Sequence, residues 1–145
     1  MFFSKSFGYA LRGVLFISAS QSKPRICIEE LADQLKVPRH FMGKVMKSLV
    51  KKGILSSSKG PTGGFSLNEK TLDTPLLTIL ETTDGPSQFN LCVLRFTACN
   101  SQNPCPLHYM LEESRKNLAD TLSGTTVRDL LKEGAEPMIR SLTSA

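Results

Sequence analysis

The chain has 145 residues, 40% of them hydrophobic, which suits one compact domain or a small domain with an extension. No apolar run approaches the roughly 18 residues that a membrane-spanning helix needs. The net charge of +5 is uneven: residues 1–70 carry twelve basic and four acidic groups, and residues 71–145 carry six and nine. No acidic residue lies between Asp33 and Glu69, and a stretch of one sign indicates a polyanionic partner.

The first predicted element is a helix from about Lys5 to Ser20. Its apolar face is marked at helical spacing by Phe7, Leu11, Val14, Leu15 and Ser18. The apolar residues after Arg12 also imitate a secretion signal. We interpret them as part of an amphipathic core helix, and therefore expect a cytoplasmic protein.

Two further helices are predicted before residue 53. Residues 21–24 break the first helix, and a second covers about Ile28 to Lys36. Its first turn holds two glutamates, where the helix dipole favours anions. Pro38 is suited to the first position of a third helix, which runs to about Lys52 and ends at Gly53.

The third helix has two chemically distinct faces. One is apolar and carries Met42, Val45, Met46 and Leu49. The other carries His40, Lys44, Lys47 and Lys51, with Arg39 beside them. One face can therefore pack on the second helix while the other meets a phosphate-lined groove. Gly43 is expected on the basic side, where it would let the backbone approach DNA. A solvated lysine face is the alternative interpretation.

Residues 54–58 and 64–68 predict two short strands joined by a glycine-rich turn that begins at Lys59. Lys59 could reach a phosphate or a narrow minor groove. A nucleotide-binding loop is disfavoured because no Gly-Lys-Ser/Thr motif is present and no helix follows directly. Two helices and a hairpin in this order predict a mainly α fold with a small β-hairpin, a winged helix-turn-helix.

The second half is predicted to contain three more helices. The first covers about Pro75 to Thr83, a long one runs from Pro106 to about Ser123, and a short one covers residues 126–133. We divide the chain into a DNA-binding domain (1–84), a cysteine loop (85–105), a dimerisation helix with the short helix after it (106–134) and a loose tail (135–145). The leucines at 107, 111, 118 and 122 form a heptad-like stripe, either a dimer seam or part of the chain's own core.

Three of the four cysteines lie in the cysteine loop, at Cys92, Cys99 and Cys105. Thiolates are soft ligands that suit iron–sulfur clusters, zinc or copper(I). Cys105 is expected at the start of the long helix with His108 one turn further on, so both could reach one site with the loop cysteines. A cluster held by all four residues is our first interpretation. Zinc in the same ligands, a metal-free thiol switch, and cysteines without a function stay open. Cys27 is expected to be a small packed residue.

Four segments resemble one family of bacterial winged helix-turn-helix regulators. They are Ser6–Arg12, Ile28–Asp33, Leu49–Leu55 and Lys59–Leu67. The family includes the iron–sulfur cluster regulator, the nitric-oxide-sensing repressor and the cysteine-metabolism repressor, and the resemblance covers about residues 1–130. It implies a homodimer joined by the long helix, with each third helix in a major groove and each wing at the flanking minor groove.

The same resemblance bears on the cofactor. In the family, three cysteines at similar spacing bind a cluster, and a histidine at the position of His108 supplies the fourth ligand in the two-iron, two-sulfur type. Other members take an acidic ligand from the partner's first helix, where this chain has Gly8. The resemblance therefore favours a two-iron, two-sulfur cluster over a four-iron, four-sulfur cluster, although the interval between Cys92 and Cys99 is one residue longer than in the members with histidine.

The sequence therefore predicts a DNA-binding transcriptional regulator, most simply a repressor, that senses cluster status, redox state or nitric oxide. No acid–base pair or nucleophile triad indicates an enzyme. A zinc-stabilised interaction adaptor is the alternative from another class. The residues predicted to contact DNA are Lys5, Tyr9, Arg39, His40, Phe41, Lys44, Lys47, Lys51, Lys59, Gly60 and Thr62, and the predicted metal ligands are Cys92, Cys99, Cys105 and His108.

Overall fold

A computed structural model describes residues 3–20, 22–86, 88–92, 94, 98–132 and 134–143. The described elements, in chain order, are α1 (Lys5–Ala19), α2 (Ile28–Leu35), α3 (Arg39–Lys51), β1 (Ser56–Ser58), β2 (Gly64–Ser66), α4 (Leu76–Asp84), α5 (His108–Gly124), α6 (Val127–Lys132) and α7 (Ala135–Thr143). Within these residues no helix is both long and apolar enough to cross a membrane. The predicted mainly α fold with one small hairpin is confirmed.

Helix α1 forms the centre of the core, which confirms its interpretation as a core helix. It packs against α3 and α4, and it is buried along most of its length. Gly13 faces α3, where an added Cβ would lie 2.6 Å from Cε of Met42 and 2.8 Å from Sδ of Met46. The absence of a side chain at this position therefore lets α1 and α3 pack closely, and α3 is held on a rigid support.

The two helices of the helix-turn-helix are joined by a tight turn at residues 36–38. Lys36 adopts the left-handed conformation with φ 55°, and the amide of Val37 donates to the Ala32 carbonyl at 3.0 Å. This arrangement closes the end of α2. Pro38 occupies the capping position before α3 rather than its first turn, because its ψ of 125° is extended. The third helix thus begins at Arg39.

The wing is an antiparallel hairpin in which Ser56 pairs with Ser66 and Ser58 with Gly64. It is shorter than predicted, because Ile54 and Leu55 enter the core and are 4% and 2% exposed. Ile26 exchanges two hydrogen bonds of 2.9 Å with Phe65, so β2 is also paired with the segment that leads into α2. An added Cβ on Gly64 would lie 2.6 Å from the Ile26 carbonyl oxygen, so this pairing requires glycine there.

Backbone hydrogen bonds at the start of α4 attach the second half of the chain to the first. The amide of Leu76 donates to the Thr125 carbonyl at 2.9 Å, and the amide of Val127 donates to Thr74 at 3.2 Å. Helix α5, which ends at Gly124, is thereby fixed to the first half of the chain at its C-terminal end. Its N-terminal end begins at His108 rather than at Pro106, because the chain first makes a turn closed by the His108 amide and the Cys105 carbonyl at 3.0 Å.

The predicted loose tail is wrong for residues 135–143, which form α7 and contact α1 and α2. Leu142 packs against the core. The Arg12 guanidinium donates from one nitrogen to the carbonyls of Leu35 at 2.8 Å and of Leu142 at 2.7 Å. A cation at the carbonyl ends of α2 and α7 is electrostatically favourable, and its two hydrogen bonds join the ends of these helices. Residues 144 and 145 lie outside the described part.

Candidate functional site

Helix α3 presents one apolar and one basic face, as its sequence predicts. Met42, Met46 and Leu49 are fully buried and Val45 is 7% exposed. The predicted DNA-contacting residues of the helix are all exposed: Arg39, His40, Phe41, Lys44, Lys47 and Lys51. Among the described residues, no carboxylate forms a salt bridge with the three lysines. Their ammonium groups are therefore available to phosphates.

Arg39, at the start of α3, differs from these lysines because it is paired with Glu29 of α2. The Glu29 backbone amide, the charge of Arg39 and the Cys27 thiol together hold the pKa of Glu29 below its ordinary value. Both partners are exposed, and solvent screening makes such surface pairs weak. A phosphate could therefore displace Glu29 from Arg39 at small cost.

Gly43 does not lie on the outer basic surface where the sequence suggested it would. It is half-buried, and an added Cβ would lie 3.8 Å from the Ile28 side chain at the start of α2. That distance is ordinary van der Waals contact. The helical repeat explains the difference, since position 43 falls at the edge of the basic face nearest to α2.

The remaining predicted DNA contacts lie on the wing tip and on α1. Lys59, Gly60 and Thr62 are exposed, and the Gly63 amide donates to the Gly60 carbonyl at 2.9 Å to close the turn. Gly60 has φ 100°, a conformation that side chains disfavour. Lys5 is exposed at the start of α1, whereas Tyr9 is half-buried and packs against the core.

The predicted ligands lie on the cysteine loop and at the start of α5. Cys92 and Cys105 are 4% and 7% exposed, Cys99 is half-buried, and all are thiols. Leu91 and Ala98 form an isolated antiparallel bridge in the loop, and the Cys99 amide donates to the Asn90 carbonyl at 2.6 Å. Ser87, Val93 and residues 95–97 of this loop lie outside the described part.

The four predicted ligands are not gathered into one site. In the described part of the chain, no three His, Cys, Asp or Glu residues lie close enough to hold a metal ion. Cys105 precedes α5 instead of sharing a helix face with His108, although the turn between them keeps the two residues adjacent. His108 is 8% exposed, and its Nε2 has no hydrogen-bond partner among the described residues. An imidazole nitrogen buried in this way is a candidate ligand.

Arg115 is a residue of this region that the sequence patterns did not single out. It is 9% exposed, and its Nη1 donates to the Cys99 sulfur at 2.7 Å. The buried residues of α5 are His108, Arg115 and Leu122, at intervals of seven. That spacing from His108 is the signal that could have identified Arg115. The inward face of α5 therefore runs through these three residues, of which only Leu122 belongs to the predicted leucine stripe.

The leucine stripe itself divides between the core and the surface. Leu122 is buried against the core of its own chain, whereas Leu107, Leu111 and Leu118 are half-buried. Tyr109 and Met110, in the first turn of α5, are 68% and 72% exposed. The N-terminal half of α5 thus keeps apolar side chains that the described residues leave exposed.

A family model for iron-dependent transcriptional regulators, named Rrf2, matches residues 3–133. The chain belongs to the Rrf2 family. This Rrf2-family chain is 34% identical over 133 residues to an HTH-type transcriptional regulator of Aquifex aeolicus, covering 90% of this chain and 92% of that one. It is 26% identical to the NsrR regulator of Geobacillus kaustophilus, covering 92% and 90% of the two chains.

The fold of this Rrf2-family chain matches that of CymR, the global cysteine regulator of B. subtilis. The TM-score is 0.72 at 17% identity, over 90% of this chain and 96% of CymR. At that identity the likeness shows the fold alone. The family resemblance predicted from the motifs is confirmed. The protein is a helix-turn-helix transcriptional regulator and not an enzyme.

Proposed function

We propose that this chain is a cytoplasmic, homodimeric repressor that responds to an iron–sulfur cluster held by Cys92, Cys99, Cys105 and His108. The DNA-binding part of this proposal rests on one observation. The basic and the apolar side chains of α3 lie on opposite faces of the helix. Lys44, Lys47 and Lys51 lie exposed on the helix face opposite its buried methionines. In a helix-turn-helix this face enters the major groove. The exposed wing tip at Lys59 would contact the phosphates or minor groove beside it.

The chemistry of the proposed ligand atoms around His108 supports the cofactor part of the proposal. Three thiols and one imidazole form a soft ligand set that suits a cluster or zinc. The buried Nε2 of His108 lacks a partner among the described residues, and Cys105 is buried in the adjacent turn. A bound cluster would supply a centre that responds to oxidants and nitric oxide. Because no three of the four proposed ligands converge in the described residues, loading requires the loop to close over the start of α5.

Loop closure at this place would affect the dimer. The C-terminal end of α5 is fixed to α4 through Thr125 and Leu76, while its N-terminal end carries the exposed side chains of Tyr109 and Met110. Two half-buried leucines, Leu111 and Leu118, lie along the same helix. A partner helix packed there would experience any movement of the loop. The two DNA-binding domains of a dimer bind half-sites about one helical turn apart. A small change in the separation of the two domains therefore alters DNA affinity.

Anaerobic purification followed by an absorption spectrum and iron and zinc analysis tests the cofactor. We expect a brown protein with sulfide-to-iron charge-transfer bands, and Cys99→Ala should lose the colour. Cys27→Ala is the matched control, because Cys27 lies at the start of α2 outside the ligand set, and this variant should stay brown. A colourless protein with one zinc per chain after anaerobic reconstitution would establish zinc instead.

One observation favours a second candidate, a metal-free thiol switch. The Cys99 sulfur already accepts a hydrogen bond from the buried Arg115, so the thiol is held in a defined position without a metal. In this alternative, oxidation joins Cys99 to another cysteine of the loop. Mass spectrometry of the metal-free protein after peroxide treatment would detect the disulfide. DNA binding should then change on oxidation and recover with a thiol reductant.

A further inference from the structure

Phe41 is a large apolar side chain that the fold leaves in water. It is 55% exposed, although Met42, the next residue of α3, is fully buried. The other large hydrophobic side chains exposed in the described residues are Leu91, Leu94, Tyr109 and Met110, all in the cysteine loop or the first turn of α5. In the described part of the DNA-binding half, Phe41 is therefore unusual.

The position of Phe41 on α3 directs it along the basic face and away from α2. Lys44 lies three residues further on, on the same side of the helix, and both are exposed. Gly43, two residues away, faces Ile28 of α2, and a separation of two residues places Phe41 roughly 200° around the helix from it. The His40 ring stands edge-on to the Phe41 ring, with centroids 6.1 Å apart and planes at 72°.

Phe41 also lies in the first turn of α3, which begins at Arg39. In a helix-turn-helix, the N-terminal residues of the second helix contact base edges. A phenyl ring has no donor or acceptor, so it cannot read the hydrogen-bonding pattern of a base pair. It also has no charge with which to hold a phosphate. The apolar group that the major groove offers is the C5-methyl of thymine.

We infer that Phe41 is a specificity-determining residue that reads a thymine methyl group in each half-site of the operator. His40, packed against the edge of the ring, limits the positions that the ring can adopt. Lys44 and its neighbours supply affinity through phosphates, which carries no sequence information. Phe41 would thus convert general attraction into a preference for thymine at one position. The inference rests on the proposed reading of DNA by α3.

The test uses the full chain and DNA that contains deoxyuridine. An operator is first selected from random duplexes, and its thymines are then replaced by uracil one at a time. This replacement retains base pairing and removes only the methyl group. At one thymine in each half-site, we expect about fourfold weaker binding, the effect of withdrawing one methyl-sized group from an apolar contact. Uracil at the remaining thymines should have little effect.

Variants identify the residue responsible for that effect. Phe41→Ala should bind the thymine operator more weakly, and the replacement by uracil should then cause no further loss. Lys44→Ala is the matched control: it should bind both operators more weakly while keeping the fourfold difference between them. Because Phe41 is exposed, Phe41→Ala should fold normally, which circular dichroism checks.

Three results would overturn the inference. The first is a selected operator in which no uracil replacement weakens binding. The second is a methyl effect that persists in Phe41→Ala, which would assign it to another residue. The third is a selected half-site without an invariant thymine. Failure of the DNA-reading proposal looks different, because Lys44→Ala would then bind both operators as tightly as the wild-type chain.

Discussion

Arg115 donates a hydrogen bond from Nη1 to the sulfur of Cys99 at 2.7 Å, which joins the middle of α5 to the cysteine loop. Burial has a different energetic cost for each of the two partners. The guanidinium is 9% exposed and its Nε has no hydrogen-bond partner among the described residues, whereas a thiol can be buried at little cost. Removing the thiol should therefore change the free energy of unfolding differently from removing the guanidinium.

We expect Cys99→Ala to lower the free energy of unfolding of the metal-free protein by about 1–3 kcal/mol, because it leaves the buried guanidinium without that acceptor. Arg115→Met keeps the length of the side chain and removes the buried charge, so it should be neutral or stabilising by about 1 kcal/mol or more. Urea unfolding with reductant and chelator measures both. In the double variant the loss caused by Cys99→Ala should disappear. Equal losses in the two single variants would contradict this expectation.

His108→Leu separates ligation from folding. The Nε2 of His108 has no partner among the described residues, so an apolar side chain of similar size should leave the unfolding free energy of the metal-free protein within about 1 kcal/mol of wild type. Iron content after anaerobic reconstitution should fall strongly. His40→Leu, on the exposed face of α3, should retain its iron. Full iron loading of His108→Leu would remove His108 from the ligand set.

Lys44→Ala and Lys47→Ala should each weaken DNA binding more at low salt than at high salt. Removing one lysine–phosphate interaction should reduce the slope of log affinity against log salt concentration by about 0.9. Fluorescence anisotropy over a salt series measures this slope. Lys116, exposed on α5, provides the control variant, and Lys116→Ala should keep the wild-type slope. An unchanged slope in both α3 variants would mean that α3 does not face the phosphates.

Gly43→Ala should stabilise the protein by about 1 kcal/mol, because alanine favours a helix interior over glycine by that amount. The new methyl group meets only ordinary contact distances to Ile28, 3.8 Å and 3.9 Å. Thermal unfolding measures the gain. DNA affinity should stay unchanged, since the position faces α2. Weaker DNA binding with normal stability would instead show that the backbone of α3 approaches DNA at Gly43.

Arg12→Ala should lower the free energy of unfolding by about 1–3 kcal/mol, because it leaves two carbonyls without a charged donor. Those carbonyls belong to Leu35 and Leu142. In this variant, amide hydrogen exchange across α7 should become faster than in wild type, and exchange across α3 should change less. Arg25→Ala changes an exposed arginine and should alter stability by less than about 0.5 kcal/mol. Unchanged exchange in α7 would mean that Leu142 packing alone holds this helix.

Local sequence patterns predicted the helix-turn-helix and the wing because each element there has its own periodicity and terminator. Met42, Val45, Met46 and Leu49 define the inner face of α3 without reference to the rest of the chain, and the helix bounds agree with prediction to within one residue. Helix α7 was missed, since a tertiary contact such as its hydrogen bond from Arg12, more than a hundred residues away in sequence, cannot be read from a local pattern.

The cysteine region was predicted less well, for a physical reason. Which thiols meet depends on the path of a loop, and spacing along the sequence does not fix that path. Arg115 was overlooked because a charged residue is normally expected to face solvent. It lies inward on α5, two helical turns after His108, where only the folded loop provides its sulfur acceptor.

The pairing of Ile26 with Phe65 makes the wing and the helix-turn-helix one mechanical unit. The strand that carries the wing is hydrogen-bonded to the residues that lead into α2, and Gly13 allows α3 to pack tightly on α1. Under the proposed sensing role, a change at the cysteine loop would therefore have little opportunity to bend one DNA-binding domain internally. We expect the base preference of a single half-site to be the same in every state of the protein. What should vary between these states is how many base pairs between the two half-sites the dimer tolerates. The regulator would then discriminate operators by their half-site spacing.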